Sequence, residues 1–304
     1  MKLFRYALLV FIGACSYGTL SSIMKLGIRE GYTVPQIIGS QYFFGWLLLA
    51  AAALLFSRRR VSGKQVLVLL ACGLSVSCTS ISYGIAVEQL PASIAVVFLF
   101  QFTWIGVLLE ALINRSWPDR AKLLSVLILL IGTVLAGGLA DHGLSGLTAK
   151  GAIFGLISAV SFAFYIMVNG RVATEMPILN KSLSLTTGAA ASLFLVFPPA
   201  FLADGALVSG LWKYGLVMGL LGVLVPGVFF GLGVPKIGPG LGTILGAAEL
   251  PAAVIMSVTV LQEQVSWLQW AGIALIFAGI CLPQLAYVRQ ERHRRAPARA
   301  KANL

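Results

Sequence analysis

Residues 238–260 read GPGLGTILGAAELPAAVIMSVTV, a run long enough to cross a membrane as one helix. Near its centre stands a single carboxylate, Glu249, with eleven residues on either side. A charge at that depth costs roughly 2.5–3.5 kcal/mol on insertion scales, so such residues usually face a cavity or a partner. Gly238, Gly242 and Gly246 recur at every fourth position, and at 100° per residue Gly242, Gly246, Glu249 and Ala253 share one stripe. Small stripes let helices approach closely, as in a packed bundle. A structural Glu bonded to a neighbouring helix is the plain alternative. A water-accessible site for substrate or protons is the reading adopted here.

The rest of the chain is of the same kind. Of 304 residues, 59% are hydrophobic and 11% charged, and the mean hydropathy is +0.94. A soluble domain of this length has no way to hide so much apolar surface. The fold class expected is therefore an all-α integral membrane protein. The net charge of +12 does not point to nucleic acid, because the basic residues concentrate in short loops and the C-terminal tail, where they set topology. Cys15, Cys72, Cys78 and Cys281 all lie in apolar runs and read as small buried hydrophobes. His142 and His293 fall in polar segments. No metal or other cofactor is implied. Lys2 and Arg5 precede a long apolar stretch, read as a retained first transmembrane helix and not a cleaved signal.

Ten spans follow at about twenty residues each: 4–26, 34–56, 65–87, 91–113, 121–139, 150–169, 182–203, 212–234, 238–260 and 267–288. Residues 289–304 form a basic tail expected to be disordered. If the N-terminus is cytoplasmic, 18 of the 22 Lys and Arg residues lie inside, leaving Lys25, Arg29, Lys150 and Lys213 outside. That asymmetry places both termini in the cytoplasm.

The chain also repeats. A shift of 147 residues lays Tyr83-Gly84 on Phe230-Gly231, Val87 on Val234, Val107 on Val254, Gly132 on Gly279 and Leu135 on Leu282. Spans 3–5 then overlay spans 8–10, and Ala14-Cys15-Ser16-Tyr17 of span 1 matches Ala159-Val160-Ser161-Phe162 of span 6. Each half, 1–140 and 141–288, holds five spans. An odd number forces the second half to insert upside down, so the expected architecture is two inverted five-helix repeats around a central cavity. Such repeats mark secondary transporters, with the site near the midplane.

Enzyme constellations are missing. There is no HExxH, no paired carboxylates within a span and no membrane-embedded His beside a nucleophile. The glycines of 231–242 lack the GxxxxGK[ST] phosphate-loop pattern and join two apolar helices. The chain is read as no enzyme. Polar and aromatic residues at mid-span supply the candidate substrate site: Glu249, Gln101, Trp104, Tyr17, Thr79, Tyr83 and Phe162. Gln101 and Trp104 share a face of span 4, and an amide at the midplane needs a partner. Most Ser and Thr side chains in the spans are expected to bond helix to helix. Glu110 and Lys25 sit near span ends and are expected to snorkel. Pro226 and Pro251 are expected to kink spans 8 and 9. An apolar setting penalises an ionised carboxylate, which makes Glu249 the candidate for proton coupling.

The sequence resembles the EamA-type members of the drug/metabolite transporter superfamily. Ala248-Glu249-Leu250-Pro251-Ala252, followed by Leu261-Gln262-Glu263-Gln264-Val265-Ser266-Trp267-Leu268-Gln269-Trp270-Ala271-Gly272, is similar to the "EP…LGE…LQWLG" run of that family. Leu250 stands where the family often has Pro and Gln262 where it has Gly, and Asn114-Arg115-Ser116 replaces the Gly-Glu ending of the first half. The resemblance implies a cavity walled mainly by spans 1, 3, 4, 6, 8 and 9, and export of amino acids, other small amphipathic metabolites or drugs without ATP. The partners expected are a small-molecule substrate, membrane lipid and protons, with no nucleic acid. One chain encloses its own cavity, so a monomer is expected in a bacterial cytoplasmic membrane. The alternatives are a multidrug efflux carrier of the same fold and a non-transporting scaffold or receptor.

Overall fold

The computed structural model describes residues 2–57, 61–90, 92–139 and 147–302. Arg58–Arg60, His142 and the expected boundary between the halves lie outside the described residues. Every regular element among the described residues is helical. The first half runs α1 (Lys2–Gly18), α2 (Leu20–Arg29), α3 (Val34–Phe56), α4 (Gly63–Gln89), α5 (Ala92–Leu99), α6 (Phe102–Asn114) and α7 (Arg120–Ala136). The second runs α8 (Ala149–Arg171), α9 (Ile178–Val196), α10 (Trp212–Gly219), α11 (Val225–Ile237), α12 (Pro239–Gly246), α13 (Glu249–Leu261) and α14 (Trp267–Ala302).

Among the described residues, seven helical stretches are long and apolar enough to span a bilayer unaided: 3–29, 34–56, 63–89, 94–114, 149–171, 207–237 and 239–261. With α7, α9 and the apolar first half of α14 they make the ten rods expected. Leu54, Leu55, Phe56, Leu195 and Val208 stand exposed on the outside of the bundle, a surface suited to lipid tails. One expectation fails at the end of the chain. The tail is helical through Ala302, in keeping with its Ala, Arg, Gln and Glu content, all good helix formers.

The packing has the exchange symmetry of an inverted repeat. Span 1 (α1) packs on span 8 (α11) as span 6 (α8) packs on span 3 (α4). Span 2 packs on span 8 (α3 on α10) as span 7 packs on span 3 (α9 on α4). Spans 5 and 10, spans 2 and 7, and spans 4 and 9 pair with each other, as elements on a two-fold axis must. Glycines permit the closest of these approaches. A Cβ on Gly106 would overlap the Thr243 side chain where spans 4 and 9 cross, and one on Gly272 would strike the backbone of α7.

Candidate functional site

Three spans break near the middle of the bundle. Span 1 breaks between α1 and α2, span 4 at Phe100-Gln101 and span 9 at Ala247-Ala248. The last two lie 147 residues apart, the same shift that relates the halves. At span 9 the cause is local. Pro251 has no N–H to bond the Ala247 carbonyl four residues back, and Leu250 N takes that carbonyl at 3.3 Å. Pro251 therefore sits in the first turn of α13, where its missing donor costs nothing. Span 9 is interrupted, not bent as expected. At span 4 the position equivalent to Pro251 is Trp104, and there Phe100 O is held by both the amide of Thr103 (3.1 Å) and its hydroxyl (3.0 Å). No proline or glycine announces that break.

Glu249 is the first residue of α13, half-buried at the break. An acid in the first turn suits the positive end of a helix. Its carboxylate lies within electrostatic range of Tyr17 and Tyr83. Span 1 crosses here so tightly that a Cβ on Gly18 would overlap the Glu249 carbonyl and meet Ala252 Cβ at 2.7 Å. Tyr17 belongs to an aromatic cluster. The Tyr17 ring stands edge-on to Phe162 at 5.9 Å and to Phe230 at 6.0 Å. Phe162 meets Phe102 edge-on at 4.8 Å. Tyr17 Oη donates to Tyr165 Oη at 3.4 Å.

The structure thus gathers Glu249, Tyr17, Tyr83 and Phe162. Thr79 is half-buried one turn before Tyr83 on α4, its hydroxyl donating to Ser75 O at 2.8 Å. Gln101 and Trp104 form a unit of their own on span 4. Trp104 Nε1 donates to Gln101 Oε1 at 2.8 Å, and Gln101 Nε2 donates to Val97 O at 2.8 Å. The midplane amide is satisfied within its own span, and the indole is 37% exposed.

Other polar residues have structural work. Ser16 donates to Leu221 O at 2.5 Å. That carbonyl belongs to a π-helical turn, Leu220–Leu224, just before Pro226. Pro226 has no N–H for the Gly222 carbonyl, so the register of span 8 widens there. Ser77 bonds Ser192 at 2.6 Å between spans 3 and 7. Neither Glu110 nor Lys25 simply snorkels. Glu110 accepts from Lys122 at 2.6 Å and is buried against Gly238 and Gly240, and Lys25 bonds Glu263 at 2.9 Å between the halves.

Sequence reasoning missed two features: the paired breaks and Lys181. Counted as a loop residue at the cytoplasmic end of span 7, Lys181 lies one turn inside α9 and is 2% exposed. The helix starts at Ile178, four residues before the expected span.

The EamA-like transporter family model matches the chain twice, over residues 4–138 and 149–283. The chain belongs to the EamA-like transporter family. A protein of Archaeoglobus fulgidus described as an uncharacterized transporter is 27% identical over 274 residues, covering 90% of this chain and 94% of its own. A solved crystal structure, titled only as that of a protein, superposes with a TM-score of 0.73 at 18% identity, covering 93% of this chain and 98% of the other. That likeness concerns the fold alone. This is a multi-pass membrane transporter of the drug/metabolite transporter superfamily.

Proposed function

We propose that this EamA-family chain is a secondary carrier that exports a small amphipathic metabolite, an amino acid or a related compound, across a bacterial cytoplasmic membrane by alternating access. The observation that carries this reading is Glu249: a half-buried carboxylate at the broken centre of span 9, within electrostatic range of Tyr17 and Tyr83, the first of which packs on Phe162 and Phe230. Interrupted helices in corresponding positions of inverted halves are where such carriers bind solute. The carboxylate suits a cationic amino group, and the rings of Tyr17 and Phe162 suit an apolar side chain. Thr79, Gln101 and Trp104 extend the site along spans 3 and 4. Glu249 serves also as the proton-coupling group, since one carboxylate can bind a proton in one state and substrate in the other.

The test is transport in proteoliposomes under an imposed pH gradient, using amino acids selected by resistance of expressing cells to toxic analogues. Glu249→Gln is expected to abolish pH-driven accumulation and keep counterflow exchange if the residue couples protons. If it binds the substrate amine, Glu249→Gln weakens binding at every pH. Glu110→Gln, remote from the cluster, keeps the wild-type pH profile. Wild-type rates and pH dependence in Glu249→Gln would reject both roles.

A further inference from the structure

Lys181 is the buried cation that the carrier reading leaves unused. Its ammonium donates to the Asn169 main-chain oxygen at 2.8 Å, and no described carboxylate pairs with it. Among the described residues, the two ion pairs join Lys25 to Glu263 and Lys122 to Glu110. A lysine near a helix end ordinarily snorkels to water. This one turns inward instead. It lines a narrow cavity of about 20 Å³, room for roughly a single water.

The other walls are hydroxyl-rich. Tyr17, Tyr42, Tyr165 and Thr186 face the same space. Thr186 is buried, and its hydroxyl has no hydrogen bond among the described residues. One side is the π-helical turn of span 8, at Gly222 and Val223. Irregular backbone at membrane depth is tolerated where it lines a cavity, and π-turns concentrate at functional sites. Tyr17 and Tyr165, hydrogen-bonded to each other at 3.4 Å, both line this cavity, and Tyr17 also lies within electrostatic range of Glu249.

A buried charge persists where an opposite charge comes to meet it. We propose that Lys181 is the anion-binding residue of this transporter, and that its cavity receives the carboxylate of the transported solute. The proposal rests on the carrier reading and deepens it: substrates carry a free carboxylate. One ammonium and a free hydroxyl match the charge and acceptors of a single carboxylate head, whereas a phosphate would call for more cationic donors; the head is larger than one water, so the cavity must widen to admit it. Gly222 and Gly227, on either side of Pro226 in the irregular part of span 8, line one wall of the cavity.

The test uses full-length protein purified in detergent. Thermal unfolding is followed with the twenty protein amino acids, each compared with its carboxamide. At least one acid is expected to raise the wild-type Tm while its amide does not. Lys181→Met removes that shift and Lys181→Arg keeps most of it. Without ligand, Lys181→Met is at least as stable as wild type, because an uncompensated charge has gone. A lysine serving only as a donor to Asn169 gives the opposite: apo Lys181→Met is destabilised and the ligand shift survives. That result, equal shifts from acid and amide, or no shift from any acid overturns the proposal.

Counterflow of the stabilising acid in proteoliposomes separates the two readings. The KM of Lys181→Met should rise about tenfold or more, as for a lost charge-assisted hydrogen bond. Transport with an unchanged KM rejects the anion site and leaves the carrier. Binding that needs Lys181, with no transport by wild type, supports the anion site and rejects the carrier.

Discussion

Single charges within the spans divide by what they meet. Glu110 accepts from Lys122 at 2.6 Å and lies against the first turn of α12 at Gly238 and Gly240, the positive end of that helix. Removing the lysine leaves a largely buried carboxylate short of a partner, which costs about 1–3 kcal/mol. Lys122→Met should therefore lower the Tm in detergent, and adding Glu110→Gln should recover part of the loss. Equal stability of Lys122→Met and wild type would show that the helix end alone suffices. The prominence of Glu249 was legible from sequence, because a carboxylate eleven residues from either end of an apolar run has no route to water along its own helix. Lys181 was not legible. Its fate turned on a helix start four residues earlier than hydropathy suggests, and on neighbours from spans 2, 6 and 8 that no local pattern reveals.

Elements are shaped by close approach as much as by hydrophobicity. The glycine stripe of span 9 was read as a packing face, and the structure uses it so: Gly246 lies against Phe102, and Gly242 against Val234 and Ile166. The facing glycine, Gly106, admits Thr243, whose hydroxyl donates to Gly240 O at 2.8 Å and Thr103 O at 3.3 Å. Overpacking such a crossing costs typically about 1–3 kcal/mol. Gly106→Ala should destabilise by that order, and Thr243→Ala in the same chain should recover most of it, because the overlapping atoms are the Thr243 side chain. Failure of the second change to rescue the first, measured by thermal unfolding, would place the strain elsewhere. The break in span 9 was partly legible through Pro251, whose missing donor frees the Ala247 carbonyl. The matching break in span 4 was not, since Phe100, Gln101 and Trp104 carry no breaker and only Thr103 bonding back to Phe100 marks the place.

At the scale of the whole molecule, the two halves must sit in the membrane with opposite orientation, and charge decides which way the pair faces. The five-span period, legible from a 147-residue shift, reappears as exchanged packing partners, spans 1 and 8 against spans 6 and 3. Packing alone has no inside or outside. The expected bias of 18 basic residues to four, one of the 18 being the buried Lys181, is the signal that predicts it. The second half begins at α8 with Lys150 and ends in a basic tail, so the charge bias predicts that its own N-terminal end faces outward while the first half begins inside. Lys25 and Glu263 pair spans 1 and 9 at the end of the bundle expected outside, and Glu110 and Lys122 pair spans 4 and 5 at the end expected inside. Reporter fusions after Arg60 and after Arg289 should both report the cytoplasm, with a fusion after Arg29 reporting outside. Neutralising Arg58, Arg59, Arg60 and Lys64 together should weaken the orientation of the first half, because short loops near span ends carry the signal. An outside reading after either Arg60 or Arg289 in the wild type would break the ten-span map. It would also require that one of α7, α9 or α14, the rods least able to span unaided, stays out of the membrane.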